Sequence, residues 1–228
     1  MRVIDIASFL DSTNLKPEAS ENDIKALCME AVKYKVGAVC VHPYRLALAK
    51  RLLDRSEVKL CTVIGFPLGA EGMESKAFSA AKALEDGADE IDMVINIGAV
   101  KDEDYDTVIR EIDAVAALKK KKDFVLKVIV ETALLTGLEL AMTAIYISQT
   151  DADYIKTSTG FSTRGVTLED IEIINGHKSE ELKIKASGGI KDLDFALELL
   201  SAGVSRLGTS NAGKLVEEYT KRGGARGD

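Results

Sequence analysis

Short β-branched segments alternate with longer amphipathic segments along this 228-residue sequence. The short segments predict eight strands, at Asp11–Leu15, Ala38–Val41, Lys59–Gly65, Glu90–Asn96, Phe124–Glu131, Tyr154–Thr157, Lys183–Ser187 and Arg206–Gly208. The longer segments predict helices at Glu21–Tyr34, Tyr44–Leu53, Met73–Asp86, Asp104–Lys120, Leu138–Gln149, Leu168–Asn175, Leu193–Ala202 and Ala212–Lys221. Strands that alternate with helices in this way form a parallel sheet joined by crossover helices.

The strand–helix units follow one another without a linker or a change of composition. We therefore predict a single α/β domain over residues 1–228, a (β/α)8 TIM barrel with a short N-terminal extension and a frayed tail at residues 223–228. An open, doubly wound sheet is the alternative. Its nucleotide-binding fingerprint, Gly-x-Gly-x-x-Gly after the first strand, is absent from the sequence.

Residues at the ends of the predicted helices support their boundaries. Glycines at three helix-to-strand joints are expected to take the left-handed conformation that ends a helix; they are Gly37, Gly87 and Gly203. Short polar residues before three helices are expected to cap them; they are Ser20, Thr167 and Asp192.

The net charge of −7 disfavours a nucleic-acid-binding surface, because no basic region offsets the repulsion from phosphates. The densest basic run, Lys119 to Lys122, is typical of the solvated end of a helix. The N-terminal segment does not resemble a signal peptide, and no apolar run approaches the ~20 residues of a membrane span. We expect a cytoplasmic protein that binds neither nucleic acid nor membrane.

Cysteine and histidine content argues against disulfide and metal chemistry. The three cysteines lack a CxxC spacing and fit a reducing compartment. Neither His42 nor His177 has a metal-ligand spacing, so a zinc site would have to consist mainly of carboxylates. We expect neither a metal nor a cofactor.

Four charged residues interrupt apolar strand segments: Asp92, Lys127, Lys156 and Lys185. A charge inside a barrel is unfavourable unless it is paired, so these positions are informative. A purely structural Asp92–Lys127 pair is as plausible as a functional one. Lys183 lies nearer the strand start, where a solvated position at the barrel bottom is expected.

Lys156 and Lys185 occupy the tops of consecutive predicted strands, about 5 Å apart in a sheet. Repulsion between two ammonium groups and partial burial both favour a neutral amine. A neutral amine is the form that attacks a carbonyl to give a carbinolamine, so these residues predict Schiff-base chemistry.

Glycine-rich segments follow both lysines and the last strand. They are Thr157–Phe161, Ala186–Ile190 and Gly208–Asn211. Glycines let the backbone approach a phosphate, and the loops after the seventh and eighth strands form the usual phosphate site of a barrel. No Lys or Arg in Gly188–Gly189 or Gly208–Ser210 is an obvious phosphate clamp, so backbone N–H groups are expected to bind the anion.

The sequence resembles the deoxyribose-phosphate aldolase family over nearly its whole length. The matching segments are Asp11–Lys16, Cys40–Pro43, Val63–Gly69, Glu90–Asn96, Leu126–Thr132, Lys156–Phe161, Lys185–Gly189 and Gly208–Ser210. The resemblance implies reversible cleavage of 2-deoxy-D-ribose 5-phosphate to acetaldehyde and D-glyceraldehyde 3-phosphate, as part of deoxynucleoside breakdown. It also implies a homo-oligomer, a dimer or a tetramer, whose partners are otherwise small phosphorylated sugars and aldehydes.

The resemblance assigns roles to individual residues. The lysine matching Lys156 forms the Schiff base, the one matching Lys185 adjusts its reactivity, and the aspartate matching Asp92 transfers protons. The surrounding relay and pocket correspond to Asp11, Lys127 and Cys40. Phosphate contacts correspond to Gly160, Phe161, Gly188, Gly189, Ser210 and Asn211.

The sequence departs from the family pattern at Ser12, where histidine is frequent, at Arg164, where many members have glycine, and at Asn211, where serine is common. Because of Arg164 and Asn211, the resemblance does not fix the affinity for phosphate or the mobility of the loops. Two other functions remain: a Schiff-base barrel aldolase or transaldolase with a different donor, and a phosphosugar-binding barrel without catalysis. The four buried charges disfavour the second, because binding alone gains nothing from a neutral amine.

Overall fold

The computed structural model describes residues 5–224, and its eight strands form a closed parallel barrel in the order β1 to β8. The strands are β1 (Leu10–Asn14), β2 (Ala38–Val41), β3 (Lys59–Ile64), β4 (Glu90–Val94), β5 (Val125–Ile129), β6 (Tyr154–Lys156), β7 (Lys183–Ser187) and β8 (Arg206–Thr209). β8 pairs with β1, which closes the sheet. The predicted barrel is confirmed, and the open sheet is excluded.

Helices follow the strands around the barrel. They are α1 (Glu21–Tyr34), α2 (Leu46–Leu52), α3 (Met73–Glu85), α4 (Ile97–Lys101), α5 (Tyr105–Ala116), α6 (Gly137–Ile147), α7 (Leu168–His177), α8 (Leu193–Ser201) and α9 (Ala212–Lys221). Short 3-10 helices lie at Ile6–Phe9, Pro43–Arg45, Ala117–Lys120 and Thr132–Leu134. The helix predicted at Asp104–Lys120 is therefore α5 followed by a 3-10 turn. α4 was not predicted, because five residues are too few to show a helical period.

The predicted helix caps are mostly confirmed. Ser20 and Thr167 form capping boxes, and Asp192 accepts a hydrogen bond from the backbone N–H of Phe195. Gly87 and Gly203 have φ values of 104° and 94°, as expected for left-handed helix ends.

The prediction for Gly37 is wrong. The left-handed residue after α1 is Lys35, with φ of 53°. Gly37 has a steric role instead, because a Cβ there would lie 2.6 Å from the carbonyl oxygen of Ser8.

The strands divide their side chains between two environments. On β4, Ile91 and Met93 belong to the apolar core between the sheet and the helices. Asp92, on the opposite face, points into the barrel, where it is fully buried among charged groups. This alternation puts the charges of several strands in one interior cluster.

The basic run is only partly solvated. Lys119 forms an ion pair with Asp153 at 2.7 Å, and the ammonium of Lys122 donates to the carbonyl oxygens of Leu84 and Ala88. Between Asp5 and Gly224, no helix has both the length and the apolar character needed to cross a membrane. The tail expected to fray lies mainly outside the described residues, since residues 225–228 are not among them.

Candidate active site

The pairing of neighbouring strands places the four charged residues predicted from the sequence side by side. Lys156 on β6 is the direct partner of Lys185 on β7, and Asp92 on β4 is the direct partner of Lys127 on β5. All four side chains are buried, with Lys156 the most exposed at 3%. Lys183, by contrast, is exposed at the start of β7, in agreement with its expected solvated position.

The carboxylate of Asp92 joins the three lysines. Its Oδ2 accepts hydrogen bonds from the Nζ of Lys156 at 2.6 Å and of Lys185 at 2.7 Å, and its Oδ1 accepts from Lys127 at 2.9 Å. Burial alone would raise the pKa of Asp92, but the neighbouring ammonium groups outweigh it and hold this pKa well below its ordinary value. Asp92 is therefore an anion over the physiological pH range.

The effect expected from two adjacent lysines is wrong for Lys185. Burial alone would lower the pKa of this ammonium. The negative charges of Asp11 and Asp92 outweigh burial, so the pKa of Lys185 lies above its ordinary value. The ammonium donates to Asp11 as well as to Asp92. Sequence reasoning considered the two cations without the carboxylates that the barrel brings to them.

A second layer of this cluster escaped the sequence analysis. Glu90 lies 2.6 Å from the Nζ of Lys127, and Arg206 forms an ion pair with Asp11 at 2.8 Å and contacts Glu90 at 3.4 Å. Glu90 precedes Asp92 by two residues and so shares its strand face, which is the signal that could have identified it.

Asp11 lies between the two layers. Burial raises its pKa, but Lys185, Lys127 and Arg206 together lower it from 3.8 to about 2. It therefore stays ionised and holds Lys185 in place.

Lys156 differs from the other lysines of the cluster in two respects. It contacts one carboxylate, Asp92, whereas Lys127 and Lys185 each contact two or more. It also lines an open cavity of about 790 Å³, which Lys127 and Lys185 do not reach. Lys156 is thus the amine of this cluster that a small molecule in the cavity can approach.

The cavity brings together the glycine-rich loops that the sequence singled out. Its wall includes all six residues expected to contact phosphate: Gly160, Phe161, Gly188, Gly189, Ser210 and Asn211. Gly160, Gly188 and Gly189 have φ between 79° and 88°, a range that side chains rarely adopt. Lys16 and Lys191 also line the cavity, so cations that were not expected lie near the loops.

The residues that depart from the family pattern have different environments. Arg164 is not part of the cavity wall, because its guanidinium is bound to Asp170 by two hydrogen bonds of 2.6 and 2.9 Å. Asn211 does line the cavity, and its backbone N–H donates to the hydroxyl of Thr209.

Cys40 does not line the cavity, contrary to the expectation. It is fully buried in a small apolar cluster with Leu15, Cys61 and Val63, against which Phe66 packs. The thiols of Cys40 and Cys61 and a carboxylate oxygen of Asp92 lie within 4.8 Å of one another. A metal cation there would face the ammonium of Lys127, which lies 3.4 Å from the sulfur of Cys61.

Comparison with known proteins places the chain in a family. A family model described as DeoC/LacD family aldolase matches residues 9–213. The deoxyribose-phosphate aldolase of Thermococcus gammatolerans is 49% identical over 216 residues, covering 94% of this chain and 96% of the relative. The enzyme of the same name from Clostridium tetani is 48% identical over 215 residues, covering 94% and 99%.

Solved structures agree. An aldolase called QR15 superposes with a TM-score of 0.91 at 40% identity, covering 96% of this chain and 98% of its own. A tetrameric deoxyribose phosphate aldolase from Aeropyrum pernix superposes with a TM-score of 0.88 at 33% identity, covering 95% and 92%. The family match spans most of the chain, and the relatives are similar over almost their whole length. The chain therefore belongs to the DeoC/LacD family of aldolases.

Proposed function

We propose that this protein is a class I deoxyribose-phosphate aldolase, which reversibly cleaves 2-deoxy-D-ribose 5-phosphate to acetaldehyde and D-glyceraldehyde 3-phosphate through a Schiff base at Lys156. The observation that carries the proposal is the position of Lys156. Its amine lines the same cavity as the glycine-rich loops and is hydrogen bonded to Asp92. The names of the relatives give the substrate.

The reaction begins with attack by the amine of Lys156 on C1 of the open-chain sugar. A C–N bond forms, and the carbinolamine then loses water to give a protonated imine. The attacking amine must be neutral. Lys185 shares Oδ2 of Asp92 with Lys156, so the reactive amine has only part of one acceptor.

Basic groups outnumber carboxylates in the cluster. The basic groups are Lys127, Lys156, Lys185 and Arg206, and the carboxylates are Asp11, Glu90 and Asp92. Lys156 is the basic group with the fewest carboxylate contacts, which leaves its amine the least restrained of the four.

Carbon–carbon cleavage follows from the imine. The C3 hydroxyl loses its proton, the C2–C3 bond breaks, and its electron pair moves to the iminium to form an enamine, while glyceraldehyde 3-phosphate leaves. Protonation of the enamine at C2 and hydrolysis of the imine release acetaldehyde and restore Lys156.

Proton transfer in these steps is assigned to Asp92. Because its pKa is held well below the ordinary value, it enters the reaction as a base and hydrogen-bond acceptor. The proton that dehydration consumes enters from solvent in the open cavity, and Asp92 relays it to the leaving hydroxyl. Lys127 and Lys185, both within 3 Å of its oxygens, hold the carboxylate in place for this role.

Phosphate recognition is assigned to the glycine-rich loops of the cavity. Backbone N–H groups near Gly188–Gly189 and Ser210–Asn211 form an anion-binding corner next to the start of α9. Lys16 and Lys191 add positive charge at its edge. The proposal requires no metal and no other cofactor.

Two measurements test the function. Acetaldehyde and borohydride should attach an ethyl group to Lys156, located by peptide mass mapping; label at Lys127 or Lys185 with none at Lys156 would overturn the assignment. Product analysis with acetaldehyde and glyceraldehyde 3-phosphate should give deoxyribose 5-phosphate. A preference for another donor would identify a different Schiff-base aldolase or transaldolase. If no product forms with any donor, the protein is a phosphosugar-binding barrel without catalysis.

We also propose that the protein is a cytoplasmic homo-oligomer that acts in deoxynucleoside breakdown. Large apolar side chains are exposed on the monomer, among them Tyr44 at 85%, Leu138 at 74% and Phe78 at 73%. The Aeropyrum pernix relative is tetrameric. Light scattering at micromolar concentration should give the mass of a dimer or a tetramer, and a monomeric mass would contradict self-association.

A further inference from the structure

We propose that Arg164 is a positioning residue, which fixes the β6–α7 loop (residues 157–167) against the Gly188–Gly189 segment and thereby sets the geometry of the anion-binding corner. The kinetic part of this inference rests on the proposed function, whereas the structural part does not.

The guanidinium of Arg164 connects three parts of the chain. It binds both carboxylate oxygens of Asp170 in the first turn of α7. It donates to the carbonyl oxygen of Thr132, after β5, at 3.1 Å, and to the carbonyl oxygen of Gly165 at 2.9 Å. A planar guanidinium can satisfy several acceptors at fixed angles, which a lysine ammonium does less well.

The acceptors of Arg164 are themselves held firmly. Asp170 is 4% exposed, accepts from the hydroxyl of Thr132 at 2.9 Å, and forms the capping box of α7 with Thr167. Burial alone would raise the pKa of Asp170. The hydrogen bond from Arg164 is among the contacts that outweigh burial and lower this pKa below its ordinary value, so the pair stays charged. Arg164 is thus anchored to α7 and to the segment that follows β5.

Glu131 holds the cavity side of the same loop. This residue has a left-handed backbone, with φ of 54°, and is 2% exposed. Its Oε2 accepts from the backbone N–H and the hydroxyl of Thr159, and that hydroxyl accepts from the backbone N–H of Phe161. The segment that carries Gly160 and Phe161 therefore depends on contacts at both of its ends.

The loop transmits its position to the next loop by direct backbone contact. A Cβ at Gly165 would lie 2.1 Å from the carbonyl oxygen of Gly188, so no side chain fits between them. The backbone N–H of Val166 donates to the carbonyl oxygens of Ser187 and Gly188 at 3.3 and 3.2 Å. Because Arg164 holds the carbonyl of Gly165, movement of Arg164 would displace Gly188 as well.

The consequence concerns substrate binding more than chemistry. The reactive lysine lies on a strand, whereas Gly160, Gly188 and Gly189 lie on the two loops that Arg164 stabilises. Loss of Arg164 should disorder the corner that binds the phosphate and leave the amine of Lys156 in place.

The experiment compares Arg164→Gln and Arg164→Lys with the wild type and with Arg222→Gln. Arg222, directly after α9, is a matched control, because it also binds both carboxylate oxygens of an aspartate, Asp194 in the first turn of α8. Hydrogen exchange is followed in peptides that contain Thr159, Phe161 and Val166, whose amides are hydrogen bonded within this network. KM and kcat are measured with deoxyribose 5-phosphate and with free deoxyribose.

In Arg164→Gln, exchange of these amides should be about five-fold faster or more. KM for the phosphorylated sugar should rise about five-fold, with kcat and both constants for the free sugar within two-fold of the wild type. Arg164→Lys should recover part of the loss, and Arg222→Gln should behave as the wild type.

Unchanged exchange in Arg164→Gln would overturn the inference, as would equal losses on both sugars. If the wild type does not cleave deoxyribose 5-phosphate, the proposed function fails. The role of Arg164 is then tested by measuring the affinity of each variant for inorganic phosphate in place of KM. The positioning role then still requires weaker phosphate binding by Arg164→Gln than by Arg222→Gln, and equal affinities would overturn it.

Discussion

Lys156 and Lys185 occupy paired positions on β6 and β7 and donate to the same carboxylate oxygen, Oδ2 of Asp92, at 2.6 and 2.7 Å. The two side chains therefore share one acceptor. Lys185 has a second carboxylate, Asp11, and Lys156 does not. The two lysines lie at the same level of neighbouring strands. They differ in the number of carboxylates that each contacts, which is one for Lys156 and two for Lys185.

Lys185→Leu should lower kcat/KM at neutral pH by about 100-fold and leave the barrel folded, because it removes the ammonium that shares Oδ2 of Asp92 with Lys156. The pH dependence of kcat/KM should also change, because a positive charge next to the reactive amine is lost. The cluster then has three cations and three carboxylates, so the substitution leaves no excess of negative charge. Kinetics from pH 6 to 10 provide the check, and a profile identical to that of the wild type would make Lys185 purely structural.

Asp92→Asn should bind substrate but lose about 10²–10⁴-fold in turnover, because an amide cannot act as the base. The variant should also be less stable by several kcal/mol, since the buried ammonium groups of Lys127 and Lys185 lose a shared anion. Single-turnover kinetics and urea unfolding separate the two effects. Near-normal turnover in a folded variant would reduce Asp92 to a structural partner of Lys127.

Gly189→Val should reduce activity on deoxyribose 5-phosphate much more than on free deoxyribose, by about ten-fold or more in the ratio of kcat/KM. The added side chain enters the cavity wall, and φ of 79° strains any residue with a Cβ. Gly223→Val is the control for strain, because Gly223 has φ of 83°, has open space around it and lies beyond α9. Equal losses on the two sugars would show that the phosphate binds elsewhere.

Asp11→Asn should be destabilised at neutral pH by an amount that shrinks in acid. The pKa of Asp11 is lowered from 3.8 to about 2, so its charge stabilises the fold above 3.8, and this contribution is lost as pH falls toward 2. The shift corresponds to about 2 kcal/mol. Urea unfolding of both proteins at pH 7, 4 and 2.5 gives the difference directly; a difference independent of pH would contradict the assignment.

The strands and most helices could be predicted to within two residues of their bounds, because apolar alternation and helix caps are local properties. Glu90 was overlooked, although its position two residues before Asp92 puts it on the same strand face. Arg206 could not be identified as part of the cluster, because its contact with Asp11 depends on which strands meet across the barrel. The charge state of Lys185 was predicted wrongly for the same reason. Gly37 was misassigned because its constraint is a nearby carbonyl of Ser8, which no local pattern reveals.

The lysines and carboxylates of the barrel interior lie on strands, whereas the glycines around the cavity lie mainly on loops. Laboratory evolution toward aldehydes without a phosphate can therefore change the β6–α7 and β7–α8 connections freely, while the seven charged residues of the barrel interior are kept. Substitutions among those seven should cost stability or turnover, because each charged group contacts at least one group of opposite charge. A library confined to the loops should retain Schiff-base formation in most of its folded members, even where it alters which aldehyde is accepted.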